Sequence, residues 1–157
     1  MYLNPRTKET YDIHTPLWRD PTDQKHLLLE PLPGIKRDQI LHSTRSLWRY
    51  KKAMPLECPQ PISLGEGATP LVQRPFAHAN PHFKLEWFNP TSSFKDRGTS
   101  VMLSLLRQQG IRAVLEDSSG NGGASVACYA AAGGLEATIL APASTSAAKT
   151  VQMRAHG

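Results

Sequence analysis

The sequence predicts an α/β fold in which a parallel sheet is flanked by helices, and two features predict it. After Thr91, helical stretches and short β-rich runs alternate as helix–strand–helix–strand–helix with short connections, the pattern of a parallel sheet covered by helices. Turn-forming residues are also partitioned: twelve of the thirteen prolines lie at or before Pro90, and eight of the eleven glycines lie after it. The first part is therefore punctuated by turns. The second reads as regular elements joined by glycine loops.

Residues 1–40 are expected to wrap over the core, with no element assigned. Ser43 to Met54 reads as a helix halted by Pro55, and Phe83 to Phe88 as a strand running into Asn89-Pro90. Thr91-Ser92-Ser93 then offers helix caps, with Ser93 and Asp96 spaced as a capping box. The following helix is expected to bury Phe94, Val101, Met102, Leu105 and Leu106 and to end at Gly110. Ile111 to Leu115 is a β-rich run, and Glu116 to Gly123 a loop. Ala124 to Ala132 forms a second helix stopped by Gly133-Gly134. Ala137 to Leu140 is a strand broken by Pro142, and Ser144 to His156 is helical.

The chain has 157 residues, enough for one domain that buries roughly two-thirds of its unfolded surface. Its net charge of +5 comes from 18 basic and 13 acidic residues, and no block of like charge stands out. Nucleic-acid and membrane partners are therefore not expected. Cys58 and Cys128 make no disulfide framework, and neither has a second cysteine at zinc-site spacing. The six histidines show no metal spacing, so no metal is expected. The opening residues lack the apolar core of a signal peptide, and no stretch approaches membrane-spanning length, which reads as a soluble cytoplasmic protein.

Two places carry chemistry. The loop Ser118-Ser119-Gly120-Asn121-Gly122-Gly123 lies between a strand and a helix N-terminus, where free backbone N–H groups and the helix dipole favour an anionic group. An ATPase-type phosphate loop would need a lysine after the last glycine, and none follows. A dinucleotide fingerprint would need Gly or Ala at Ser125 and an acid where Ala141-Pro142 stands. Lys95 is the second place. In the first turn of a helix the dipole disfavours an ammonium ion, and a lysine so placed and buried is a better nucleophile toward a carbonyl. The plainer alternative is an exposed lysine paired with Asp96.

Together, Asn89-Pro90-Thr91-Ser92-Ser93-Phe94-Lys95-Asp96-Arg97-Gly98 and the loop at 118–123 resemble the pyridoxal-phosphate enzymes of the tryptophan synthase β-like group (fold type II). Within that group the chain looks most like the threonine synthases. Leu64-Gly65-Glu66-Gly67-Ala68-Thr69-Pro70-Leu71 is similar to that family's segment before the lysine, and Ser46-Leu47-Trp48-Arg49-Tyr50 to its N-terminal helix. The resemblance runs from about Thr15 to the end and implies a three-layer α/β fold. It divides the chain into an N-terminal wrapping and helical segment, 1–60, and the N-terminal part of the catalytic region, 61–157.

The resemblance also implies roles. Lys95 would hold pyridoxal 5'-phosphate through its amine, and Asn121 would hydrogen-bond the phenolic oxygen of the ring. Ser118, Ser119 and Gly120 would take the substrate's anionic groups. The family reaction converts O-phospho-L-homoserine and water to L-threonine and phosphate, with the released lysine amine moving protons.

Three departures accompany the resemblance. Ser92 stands where the family often has Gly, a change expected to be tolerable beside a helix cap. The Cys-x-x-Cys zinc segment of many relatives is absent. Relatives also continue well beyond Gly157, so the chain is expected to be incomplete and inactive alone. In full-length form it would be a homodimer, or it would work with a complementing C-terminal segment. A serine or threonine dehydratase type of β-eliminating lyase, and a non-catalytic truncated gene product, remain as alternatives.

Overall fold

Asp96, Thr99, Ser100, Leu103 and Ser104 recur every three to four residues, which places them on one face of a helix. That face is the buried one. The computed structural model describes all of residues 1–157, and this helix, α1, spans Lys95–Gln108. The expected apolar face is therefore only partly the inner one: Leu106 packs against the core, but Phe94 and Met102 are exposed. The physical reason is that the inner face of α1 is a hydrogen-bonding surface. Ser100 and Ser104 donate to the carbonyls of Ile62 and Ser100, and the Ile62 N–H donates to Ser104 Oγ.

Helix α2 (Asn121–Gly133) is rich in alanine, and every residue from Gly123 to Ala130 is buried. It starts three residues earlier than the sequence predicts, because the glycine loop itself supplies its first turn. Gly134 ends it in the left-handed region at φ 70°. Helices α1 and α2 pack together around Ile62, Leu103, Cys128, Tyr129, Ala130 and Leu135. Burial pushes the Cys128 thiol pKa up, as fits a core residue.

The strands that α2 joins, β6 (Ala113–Asp117) and β7 (Glu136–Leu140), pair in parallel from Ala113↔Glu136 to Asp117↔Leu140. This is the βαβ unit that the alternating pattern predicts. Helix α3 (Ala147–Ala155) packs on α2 and buries Met153. The α/β class thus stands.

The first ninety residues contain strands that the sequence did not reveal. β1 (Tyr2–Leu3) lies between β2 (Thr10–Tyr11) and β3 (Leu28–Leu29), antiparallel to both. Asp20, fully buried, accepts from Asn4 Nδ2, Tyr11 OH and the N–H groups of Thr22 and Asp23. Those bonds hold its carboxyl at a pKa of about 2, and burial, together with the same carboxylate, pushes the Tyr11 phenol up to about 12.

β4 (Leu71–Gln73) and β5 (His82–Lys84) form an antiparallel hairpin. The single strand expected over Phe83–Phe88 is therefore shorter, and Glu86–Phe88 turns into a 3-10 helix. The helix expected over Ser43–Met54 is a 3-10 helix, Leu47–Ala53, kinked at Tyr50. Ser46 Oγ accepts from the Trp48 N–H at its start.

Candidate active site

Lys95 opens α1 and Asn121 opens α2. Asp96 Oδ1 accepts from Ser125 Oγ at 2.7 Å, so the first turns of the two helices are joined by a direct bond. One turn further along, Ser100 Oγ and Tyr129 OH both donate to the Glu66 carboxylate, each at 2.8 Å. The helices therefore run in the same direction, and both N-termini lie at one end of the molecule. That end also carries the loop after β6, the carboxyl end of the parallel pair, where ligands bind in open α/β sheets.

The alternative pairing of Lys95 with Asp96 does not occur. Asp96 is fully buried and accepts from the Thr91 N–H at 2.7 Å, Thr91 Oγ1 at 2.5 Å and Ser125 Oγ. The capping box is also replaced. Ser93 Oγ caps α1 by accepting from the Lys95 N–H at 3.2 Å, while Asp96 fixes the preceding loop to α2. Lys95 is exposed, with no carboxylate at ion-pair distance, and its Nζ lies 4.7 Å from the Phe94 ring centroid. Burial of Lys95, half of the expectation from sequence, is therefore absent in this arrangement.

The glycine loop is held by β7: the Ser118 N–H donates to the Leu140 carbonyl at 2.9 Å. Gly120 N–H bonds Ser118 Oγ at 3.4 Å, and the Ala124 N–H donates to the Gly120 carbonyl. The N–H groups of Ser119, Asn121, Gly122 and Gly123 find no acceptor in the chain. Two glycines are required by packing. A Cβ on Gly122 would fall 2.9 Å from Ser118 Oγ, and one on Gly123 would fall 2.8 Å from Ile139 Cγ2 and 2.9 Å from Met153 Cε. At Gly120 a Cβ would meet nothing within 4 Å, so the loop faces open space there.

Sequence reasoning missed three supporting residues. Glu66, given no role by the sequence, is fully buried and accepts four hydrogen bonds, from Ser63 Oγ, Leu64 N–H, Ser100 Oγ and Tyr129 OH. Burial, together with that carboxylate, pushes the Tyr129 phenol pKa far up. Ser125, noted only for failing the dinucleotide fingerprint, is the hydroxyl that holds Asp96. Arg97 forks onto Glu86 at 2.8 Å through both Nε and Nη2 and holds its carboxyl at a pKa of about 2. The available signal was polar residues at core-facing helical spacing: Asp96, Ser100 and Ser104, then Ser125 and Tyr129.

The family model described as pyridoxal-phosphate dependent enzyme matches residues 62–157, which contain both helix N-termini and the loop between them. The chain belongs to this family. Its cofactor is pyridoxal 5'-phosphate, and the donor set fits that group. A primary amine without a carboxylate partner suits an aldehyde, and unbonded N–H groups at a helix N-terminus suit an anion.

The relatives agree. The chain is 36% identical over 129 residues to a threonine synthase of Methanosarcina acetivorans, covering 78% of this chain and 32% of that protein. It is 41% identical over 102 residues to the threonine synthase of Mycobacterium leprae, covering 62% and 28%. The chain thus spans about a third of the length of the curated relatives it matches. Among solved structures it resembles a hydrogen sulfide-producing enzyme from Fusobacterium nucleatum, with a TM-score of 0.54 and 31% identity over 58% of this chain and 32% of that one. It also resembles a pyridoxal 5'-phosphate-dependent aspartate racemase, with a TM-score of 0.50 and 27% identity over 57% and 30%. No helix is long and apolar enough to cross a membrane.

Proposed function

We propose that this chain carries the lysine-bearing part of a carbon–oxygen lyase of the threonine synthase type, which converts O-phospho-L-homoserine and water to L-threonine and phosphate. The observation that carries the reading is the pairing of Lys95, freed from Asp96, with the donor-rich N-terminus of α2. The threonine synthases among the relatives support the choice of substrate.

In this reading Lys95 holds the cofactor through Nζ, and Asn121 donates to the phenolic oxygen of its ring. Ser118, Ser119 and Gly120 receive the anionic groups of the substrate, aided by the positive end of the α2 dipole. Once free, the Lys95 amine takes and returns protons at the substrate carbons. Asp96 and Ser125 keep both helix N-termini in register, so Lys95 and Asn121 are presented together. When bound, pyridoxal phosphate supplies an electron sink for carbanion charge.

Borohydride treatment of the protein with pyridoxal phosphate should fix the cofactor to Lys95, as read by peptide mapping. An adduct on Lys84 or Lys149 would remove the site assignment. In a chain extended to the relatives' length, phosphate release with threonine formation from O-phospho-L-homoserine tests the reaction, and Lys95→Ala should abolish it. Faster deamination of serine or threonine would replace this reading with a dehydratase.

A further inference from the structure

A cavity of about 550 Å³ opens beside the first turn of α1 away from Lys95. Arg97 lines it and Lys95 does not. The two lie two residues apart, and so about 200° apart around the helix. The charged and aromatic walls are His42, Arg45, Arg49, Tyr50, Lys84 and Arg97, and no carboxylate lines the cavity. Its size is that of a small-molecule site.

Of the four cations, only Arg97 is neutralised, by its fork onto Glu86. Arg45, Arg49 and Lys84 have no carboxylate at ion-pair distance. Lys84 Nζ donates to the Thr69 carbonyl, and Arg49 Nη2 contacts His42 Nδ1 at 3.4 Å. The Nε of Arg49 is buried and has no hydrogen-bond partner. A buried guanidinium N–H without an acceptor is unfavourable, and so are three unneutralised like charges sharing one hollow. An oxyanion seated among the three cations relieves their mutual repulsion.

We infer that this cavity binds a phosphate-class dianion, either free phosphate or the phosphate group of a small monoester, between Arg45, Arg49 and Lys84. A tetrahedral dianion offers acceptor oxygens in several directions, to Arg45 and Arg49 at the start of one 3-10 helix and to Lys84 on β5, whereas a carboxylate offers one plane and one charge. Arginine forks match phosphate geometry, and lysine adds a point charge. The hydroxyls of Thr44 and Thr69 line the same space. This site is separate from the one proposed at Lys95 and does not rest on that proposal.

Isothermal titration of the protein with inorganic phosphate, at constant ionic strength, should give saturable binding. Arg49→Gln should weaken it by about tenfold or more, since charge-assisted bonds are lost. Arg45 makes no side-chain hydrogen bond in the fold, so Arg45→Gln carries the same test if Arg49→Gln fails to fold. Lys95→Ala should leave the affinity unchanged. Tighter binding of glycerol 3-phosphate than of phosphate would assign the site to a monoester, and the reverse order to free phosphate. Absence of saturable binding, unchanged affinity in Arg45→Gln, or loss of binding in Lys95→Ala would each overturn the inference.

Discussion

Removing the Glu66 carboxylate tests whether a hydrogen-bond hub, and not apolar packing alone, joins α1, α2 and the segment before β4. In Glu66→Ala, four donors lose their acceptor. Ser63 is exposed and can turn to water, and Ser100 keeps the Ile62 carbonyl. Leu64 is exposed too, so its N–H can pass to water, whereas the Tyr129 OH is fully buried and has no other acceptor. One buried orphaned donor at about 1–3 kcal/mol, plus the void left by four side-chain atoms, gives a loss of about 3–5 kcal/mol.

Glu66→Gln should behave differently. Its oxygen can still accept from Leu64 and Tyr129 while its amide donates to the Ser63 and Ser100 hydroxyls, so the loss falls to about 1–2 kcal/mol, the difference between charged and neutral bonds. Urea unfolding followed by tryptophan fluorescence suits the measurement, because Trp48 Nε1 donates to Ser100 Oγ at 2.8 Å beside the hub. Equal losses in the two variants, or a loss below about 1 kcal/mol in Glu66→Ala, would refute the reasoning.

Ser92 lies at φ 61° with its side chain exposed and unbonded, so Ser92→Gly should raise stability by about 1 kcal/mol in the same urea assay. Gly67 has φ 99°, and a Cβ there would fall 2.7 Å from the Leu47 backbone nitrogen, whose N–H donates to the Glu66 carbonyl. Gly67→Ala should therefore cost about 3 kcal/mol and lower the melting temperature. Glu86 has a folded-state pKa depressed from 4.5 to about 2, so its contribution to stability is present above 4.5 and lost as pH falls through about 2. In Arg97→Gln an NMR titration of Glu86 should move back toward 4.5, and acid unfolding should begin at higher pH.

The sequence by itself determined the α/β alternation after Thr91, the lysine at a helix start and the glycine loop. Each is written in local terms, in the period of a helix, a cap or a run of glycines. Lys95 and the 118–123 loop were legible for the same reason, and both lie within the residues that the family model matches. Only the tertiary structure decided what Asp96, Glu66 and Ser125 do. Their partners lie up to 63 residues away in the chain, and no local pattern records a bond of that span.

The same separation explains the misread face of α1. Periodicity assigned apolar residues to the inside, but the inner surface is set by what α2 and the Ile62–Glu66 segment present to it, which are hydroxyls, a carboxylate and backbone amides. The change at Ser92 looked harmless in sequence because a backbone dihedral of 61° is visible only once the loop is folded. The short strands β1–β4 escaped as well: two or three residues carry no alternation, and their pairing with other segments is what makes them strands.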